Sequence, residues 1–298
     1  MARTRKPSTS GTSPGRQPDA HARSRARERI AVQQAARKRS EARRRLLTVA
    51  GSVTAVVGIA AALVGIKLTA SPAMAAATES PASAAVVSQV TSVPAAALAR
   101  AGTGQVATAL EPVKTPAAPL TINGKPAIVF VGEESCPFCA AERWPLIVAL
   151  SHFGTFTNLG TTTSSATDVD PNTATFSFRT ATYHSTQLTL RTTELANNAG
   201  QPLQPQTALD TQLIRTYDVP PYVNSADQSG AVPFLDIANH DVLAGAQYDP
   251  QILAGLSATQ IANQLRNPAS PVAQAIDGSA NVIIAAINSI LHNTPASS

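Results

Sequence analysis

Cysteine is scarce in this chain, with two residues in 298. Two thiols cannot staple a disulfide-rich scaffold, and they cannot fill a four-ligand zinc site alone. Histidine offers them no help, because His152, His184 and His240 stand apart without ligand-like spacing. No metal is therefore expected. Acidic residues are nearly missing from the start. Residues 1–45 hold 3 of the 18 Asp and Glu but 14 of the 23 Lys and Arg, a net charge of +11. That leaves 15 acidic against 9 basic residues in 46–298, a net of −6. The basic balance belongs to the tail alone, so a nucleic-acid-binding reading of the whole chain is excluded. Charge is absent altogether from Leu46 to Ile66, a run of 21 residues. The chain has no internal repeat.

At about 1.5 Å per residue, that uncharged run is long enough to cross a hydrocarbon layer of ~30 Å. Arg43, Arg44 and Arg45 abut one end and Lys67 the other. The positive-inside rule then puts residues 1–45 in the cytoplasm, as a basic disordered tail, and everything after the span outside. A transmembrane signal anchor over 46–68 is the preferred reading. Its rival is a cleaved signal ending at Ala73-Met74-Ala75, with the arginine pair as a twin-arginine address. Either way the cysteines lie outside the cytoplasm, at the cell membrane, where disulfides persist. Residues 22–45 can attract anionic lipids at about 1 kcal/mol per basic residue, although topology alone also explains the arginines. Residues 69–85, rich in Ala, Pro and Ser, read as a linker. The folded domain is expected over 86–292, with a flexible C-terminus at 293–298.

The two cysteines form Cys136-Pro137-Phe138-Cys139. They follow the apolar run from Pro126 to Gly132 and precede helically spaced residues from Ala140 to Phe153. That order predicts strand, tight turn and helix, with both sulfurs at a helix N-terminus. Unpaired backbone N–H groups and the macrodipole favour a thiolate there. A redox dithiol is the leading reading. A structural bridge would close too small a loop to remove much unfolded-state entropy; a redox-silent descendant of a redox fold is the remaining alternative. Pro137 suits the first helical turn, where its missing N–H has no partner to lose. Phe138 adds no charge, so thiolate stabilisation rests on the helix terminus. Glu133 and Glu134 are candidate modulators, opposing a second negative charge. The expectation is a moderately lowered Cys136 pKa and an intermediate potential.

Helices are expected at 94–101 and 104–110. A short buried strand spans Ile128–Val131, and Pro145 should kink the helix after the cysteines. Strands follow at 158–163, 173–179 and 187–195, then a helix at 207–217 ended by Pro220 and Pro221. A hairpin over 232–246 and helices at 257–266 and 271–291 close the chain.

Gly124-Lys125-Pro126, the run from Cys136 to Trp144 and Leu150-Ser151-His152-Phe153-Gly154 carry a resemblance. So do Tyr183-His184-Ser185 and the run from Gly245 to Pro250. Over residues 86–292 the chain resembles a membrane-anchored thioredoxin-like family catalogued as domain of unknown function 929. The resemblance implies an α/β fold: a thioredoxin-like sheet with flanking helices. It also implies an insertion between the Cys-x-x-Cys helix and the cis-proline strand, at about 160–205. Pro233, after Val232, is the candidate cis-proline, and the two would dock a client together with Pro137 and Phe138. Cys136 would be the exposed nucleophile, Cys139 the buried resolving thiol, and Trp144 a core residue. No cofactor is implied beyond the Cys136–Cys139 disulfide. Expected partners are client proteins with thiols or disulfides and, by analogy, a membrane quinone-coupled oxidase. Phe130 stands where thioredoxins bury a carboxylate, and Phe138 where disulfide oxidases often carry histidine, which puts strong oxidising power in doubt. The alternative function is a non-catalytic, membrane-tethered binding module for envelope proteins.

Overall fold

The computed structural model describes residues 79–115, 117–223 and 229–293. The expected tail 1–45, the span 46–68 and residues 69–78 of the linker lie outside the described residues, as do 294–298.

Paired structure begins at β1 (Ser80–Pro81) and α1 (Ala84–Thr91), earlier than the expected boundary at 86. The reason is long-range. Ser80 and Pro81 pair with Thr161 and Gly160, and Glu79 binds Arg179 at 2.8 Å. Linker-like composition cannot reveal such partners. α2 (Ala95–Ala101) follows Pro94 as expected. The helix expected over 104–110 does not form. There Gln105 N donates to Gln274 O, and Ala107 N and Thr108 N both donate to Gln247 O. Tertiary acceptors replace the helical ones. Gly104 enters this stretch at a φ of 51°, pressed against the Gln274 carbonyl, where a Cβ has no room.

Next come β2 (Glu111–Pro112), β3 (Thr121–Ile122) and β4 (Lys125–Gly132). Asn123 and Gly124 turn β3 into β4 with φ of 54° and 75°, the left-handed pair that a two-residue hairpin requires. α3 (Pro137–Leu150) follows β4. β5 (Thr155–Thr157) pairs with β8 (Thr182–His184), and β6 (Gly160–Thr163) pairs with β7 (Ala174–Ser177). β9 (Thr189–Glu194) leads to α4 (Ala208–Tyr217), which Thr207 and Asp210 start with a capping box. β10 (Phe234–Ile237) and β11 (Asp241–Ala244) form the expected hairpin. A 3-10 turn (Pro250–Leu253), α5 (Ala258–Gln264) and α6 (Pro271–Asn293) complete the chain.

The main sheet runs β2, β11, β10, β4, β3, with β9 parallel to β4 over Ala127–Gly132. β4 is buried on both faces, which is why it reads as an unbroken apolar run. Ile128 and Phe130 join the core under α3 and α6; Val129 and Val131 join a smaller cluster with Leu213, Ile214 and Tyr217 of α4. The mixed α/β architecture is as expected. Residues 189–194, which fall within the insertion expected at about 160–205, form a strand of the main sheet. β-branched content marks a strand but not its sheet.

α3 is continuous through Pro145. Proline leaves the carbonyl four residues earlier, Ala141 O, without its helical donor. The Tyr248 hydroxyl donates to that oxygen at 2.8 Å. Among the described residues, α6 is the helix long and apolar enough to cross a membrane, yet half of that stretch is buried in the protein. Its Ile276, Ile283 and Ile287 sit in the core with α3 residues.

Candidate functional site

The chain leaves β4 at Gly132 and reaches α3 within four residues. The turn is tight: a Cβ on Gly132 would lie 2.7 Å from the Phe130 ring and 3.4 Å from Cys139 Sγ. Cys136 is the N-cap of α3, and its Sγ accepts a hydrogen bond from Cys139 N at 3.2 Å. A sulfur thus occupies the place where serine or aspartate usually caps a helix. Pro137 sits in the first turn, as its fixed φ suits. Phe138 is 42% exposed beside the sulfurs.

The expected exposed nucleophile is a correction. Cys136 is only 7% exposed and Cys139 fully buried. The cover on Cys136 includes the loop before β10, where the Val232 carbonyl accepts from Cys136 Sγ at 3.5 Å. The Val232–Pro233 peptide bond is cis, as is Pro220–Pro221. Both thiols are free, and their environments differ. The thiol and backbone N–H of Cys139 lower the Cys136 pKa; burial and Glu133 oppose them, and Arg143 assists. Burial pushes the Cys139 thiol well above its ordinary range, and its contact with Cys136 pushes the same way. The lowered Cys136 pKa was expected, but its main cause is the partner thiol.

The two candidate modulators part company. Glu133 is half-buried and acts on Cys136. Glu134 is buried, its pKa raised by burial against the relief of the Ser177 hydroxyl, and its charge bears on Glu194 and Arg143. Trp144 is a core residue, its indole N–H donating to Ala174 O at 3.0 Å.

Beneath the dithiol lies an ion pair that the sequence reading missed. Arg143 Nε and Nη2 donate to Glu194 Oε1 and Oε2 at 3.0 and 2.6 Å, both side chains fully buried. Arg143 follows Cys139 by four residues, so helical spacing alone could have flagged it. Glu194 had no local signal; the pairing of β9 with β4 puts it opposite Gly132. Glu142 was also missed: burial lifts its pKa to about 8, against a hydrogen bond from Gln247 N.

A groove of about 370 Å³ opens at Phe138 and Val232, the neighbours of the dithiol, lined also by Thr108, Glu111, Tyr222 and Ala246, among others. Of the four expected docking residues, Phe138 and Val232 line it. No group of three or more His, Cys, Asp or Glu among the described residues is placed to hold a metal.

A family model described as Domain of unknown function (DUF929) matches residues 111–289, more than half of the chain. No curated protein and no solved structure matches.

Proposed function

The chain belongs to the family described as Domain of unknown function (DUF929); from that premise and the dithiol geometry we propose a membrane-tethered, extracytoplasmic thiol–disulfide oxidoreductase that oxidises or isomerises client proteins. The observation that carries this reading is the asymmetry of the two sulfurs. Cys136 caps a helix and has a lowered pKa; Cys139 is sealed beneath it with a raised one. A nucleophile and a resolving thiol need that difference.

A thioredoxin-like fold is part of the proposal. Its support is the order of elements: a parallel β4–α3–β9 unit, a helix, then an antiparallel hairpin and a closing helix. Clients would lie in the groove along Phe138 and Val232, with Pro137 and Pro233 fixing the backbone next to each.

In the oxidising direction a client thiolate attacks Cys136 Sγ of the disulfide form. The client–Cys136 bond forms, the Cys136–Cys139 bond breaks, and the electron pair goes to Cys139 Sγ. A second client thiolate then attacks the client sulfur, expelling Cys136 and leaving the client disulfide. The client loses two electrons and the dithiol gains them. Turnover needs an oxidant of disulfide or quinone-coupled class. In isomerisation Cys136 attacks a client disulfide and is later released, with no net electron transfer.

The test is a Cys139→Ala variant of the full chain, which lacks the resolving thiol. Mixed disulfides between Cys136 and envelope proteins, absent from a double-alanine control, are the expected result. Their complete absence would favour the second reading, a tethered non-catalytic binding module. The 7% exposure of Cys136 beside a larger groove is the observation on that side.

A further inference from the structure

We infer that Arg143 is the positioning residue that holds the negative charge released on Cys139 when the disulfide is opened; this rests on the oxidoreductase reading above. Cys139 is fully buried, yet attack at Cys136 expels its sulfur as a thiolate. Water cannot reach that charge, and burying an unpaired anion is costly.

Arg143 is placed to answer it. Residues four apart share a helix face, and helical side chains lean back towards the N-terminus. Arg143 therefore shares the helix face of Cys139, and its charge bears on that sulfur. The Phe130 ring adds a second marker. It lies 5.6 Å from the Arg143 guanidinium carbon and touches the same Gly132 Cα–H position that faces Cys139 Sγ. Two guanidinium nitrogens are committed to Glu194, while Nη1 is buried with no hydrogen-bond partner among the described residues. A buried charged donor left unpaired in the reduced form calls for a partner that arises in another state. The charge of Arg143 acts on both sulfurs. The charged groups facing this cluster are Glu194 from β9 and Glu133 and Glu134 from the turn before α3. Glu194 neutralises the guanidinium only in part and fixes its fork.

The step balances without a new reactant. The incoming thiolate bonds to Cys136, the Cys136–Cys139 bond breaks, and the electron pair stays on Cys139 beside Arg143. No proton moves until Cys139 is protonated or attacks again.

The test is the rate at which glutathione opens the Cys136–Cys139 disulfide in the full chain in detergent, together with the equilibrium constant of that exchange. An Arg143→Gln, Glu194→Gln pair removes both charges together, so no lone charge is buried. Opening should slow about three- to tenfold, and at alkaline pH, where the Cys139 thiolate is populated, the equilibrium should move about tenfold towards the disulfide. Arg143→Lys keeps the charge and should stay within about threefold of the parent. Glu194→Gln alone frees the guanidinium and should move both readouts the opposite way, which keeps the inference testable if the pair variant does not fold. Unchanged exchange in the folded variants overturns the role of Arg143 while leaving the oxidoreductase reading standing. A parent disulfide no more reactive than a simple dialkyl disulfide overturns both.

Discussion

A thiol that caps its own helix is pulled in two directions. Donors converge on the Cys136 sulfur and favour the anion, while burial and Glu133 disfavour it; the donors win. The rate of alkylation by iodoacetamide tracks the thiolate fraction. Plotted against pH, it should rise to a midpoint below the ordinary 9.0. In Cys139→Ala the midpoint should move up, because one donor is lost while the backbone N–H remains. A midpoint that fails to move would assign the lowering to the helix terminus alone. Glu142 is the opposite case. Its carboxyl is buried with one backbone donor, and its pKa stands at about 8 against an ordinary 4.5. A raised folded pKa means that the protonated acid is the form the fold prefers. Its contribution is fully present below about pH 4.5 and is lost as pH rises through about 8. Glu142→Gln should therefore flatten the fall in unfolding free energy between those limits, by on the order of a few kcal/mol. Denaturant titrations at pH 5 and pH 8.5 check this; parallel losses in parent and variant would refute it. The dithiol and its spacing were legible in the sequence. The resemblance put Val232 and Pro233 near the dithiol; that the Val232 carbonyl closes over Cys136 was not legible, because burial of a side chain leaves no mark in local spacing.

Pro145 and Tyr248 show what an element needs from outside itself. The sequence put a proline inside α3 and suggested a kink. The helix runs on through it, and the Ala141 carbonyl that proline orphans is taken by the Tyr248 hydroxyl. That tyrosine lies just before the 3-10 turn and is buried, so no water can replace it. Tyr248→Phe keeps the ring and removes the donor. It should cost about 1–3 kcal/mol of unfolding free energy, the penalty of an unsatisfied buried acceptor. Chemical denaturation measures it, and a change under about 0.5 kcal/mol would mean that α3 satisfies the carbonyl another way. The same lesson covers two further segments. The stretch 104–110 has helical composition, but its N–H groups find Gln247 O and Gln274 O. The strand at 189–194 was legible as a strand; its parallel partner was not, since periodicity carries no address. β4 and α3 were legible because both announce themselves locally, one by an apolar run and one by a capped, helically spaced face.

At the scale of the whole molecule, the charge changes sign after residue 45 and the contact boundary follows between residues 73 and 74. The first 45 residues carry +11 and the remainder −6. Residues 74–298 form a compact unit by themselves. The main sheet, α3 and α6, and with them the dithiol, all lie within it. Attachment and chemistry should therefore separate. α6 is the one described helix long enough to complicate this, but half of its apolar stretch already faces the protein core, and Asp277 is buried along it. Apolar surface spent on packing is not available to lipid. Expressed without residues 1–73, the chain should stay in the aqueous fraction after lysis, whereas the full chain should sediment with membranes and need detergent for release. The alkylation midpoint of Cys136 should be the same in both. A truncated chain that still sediments with membranes would point to α6 or an exposed face of the folded unit as a second anchor. A shifted midpoint would mean that the basic tail acts on the thiol after all.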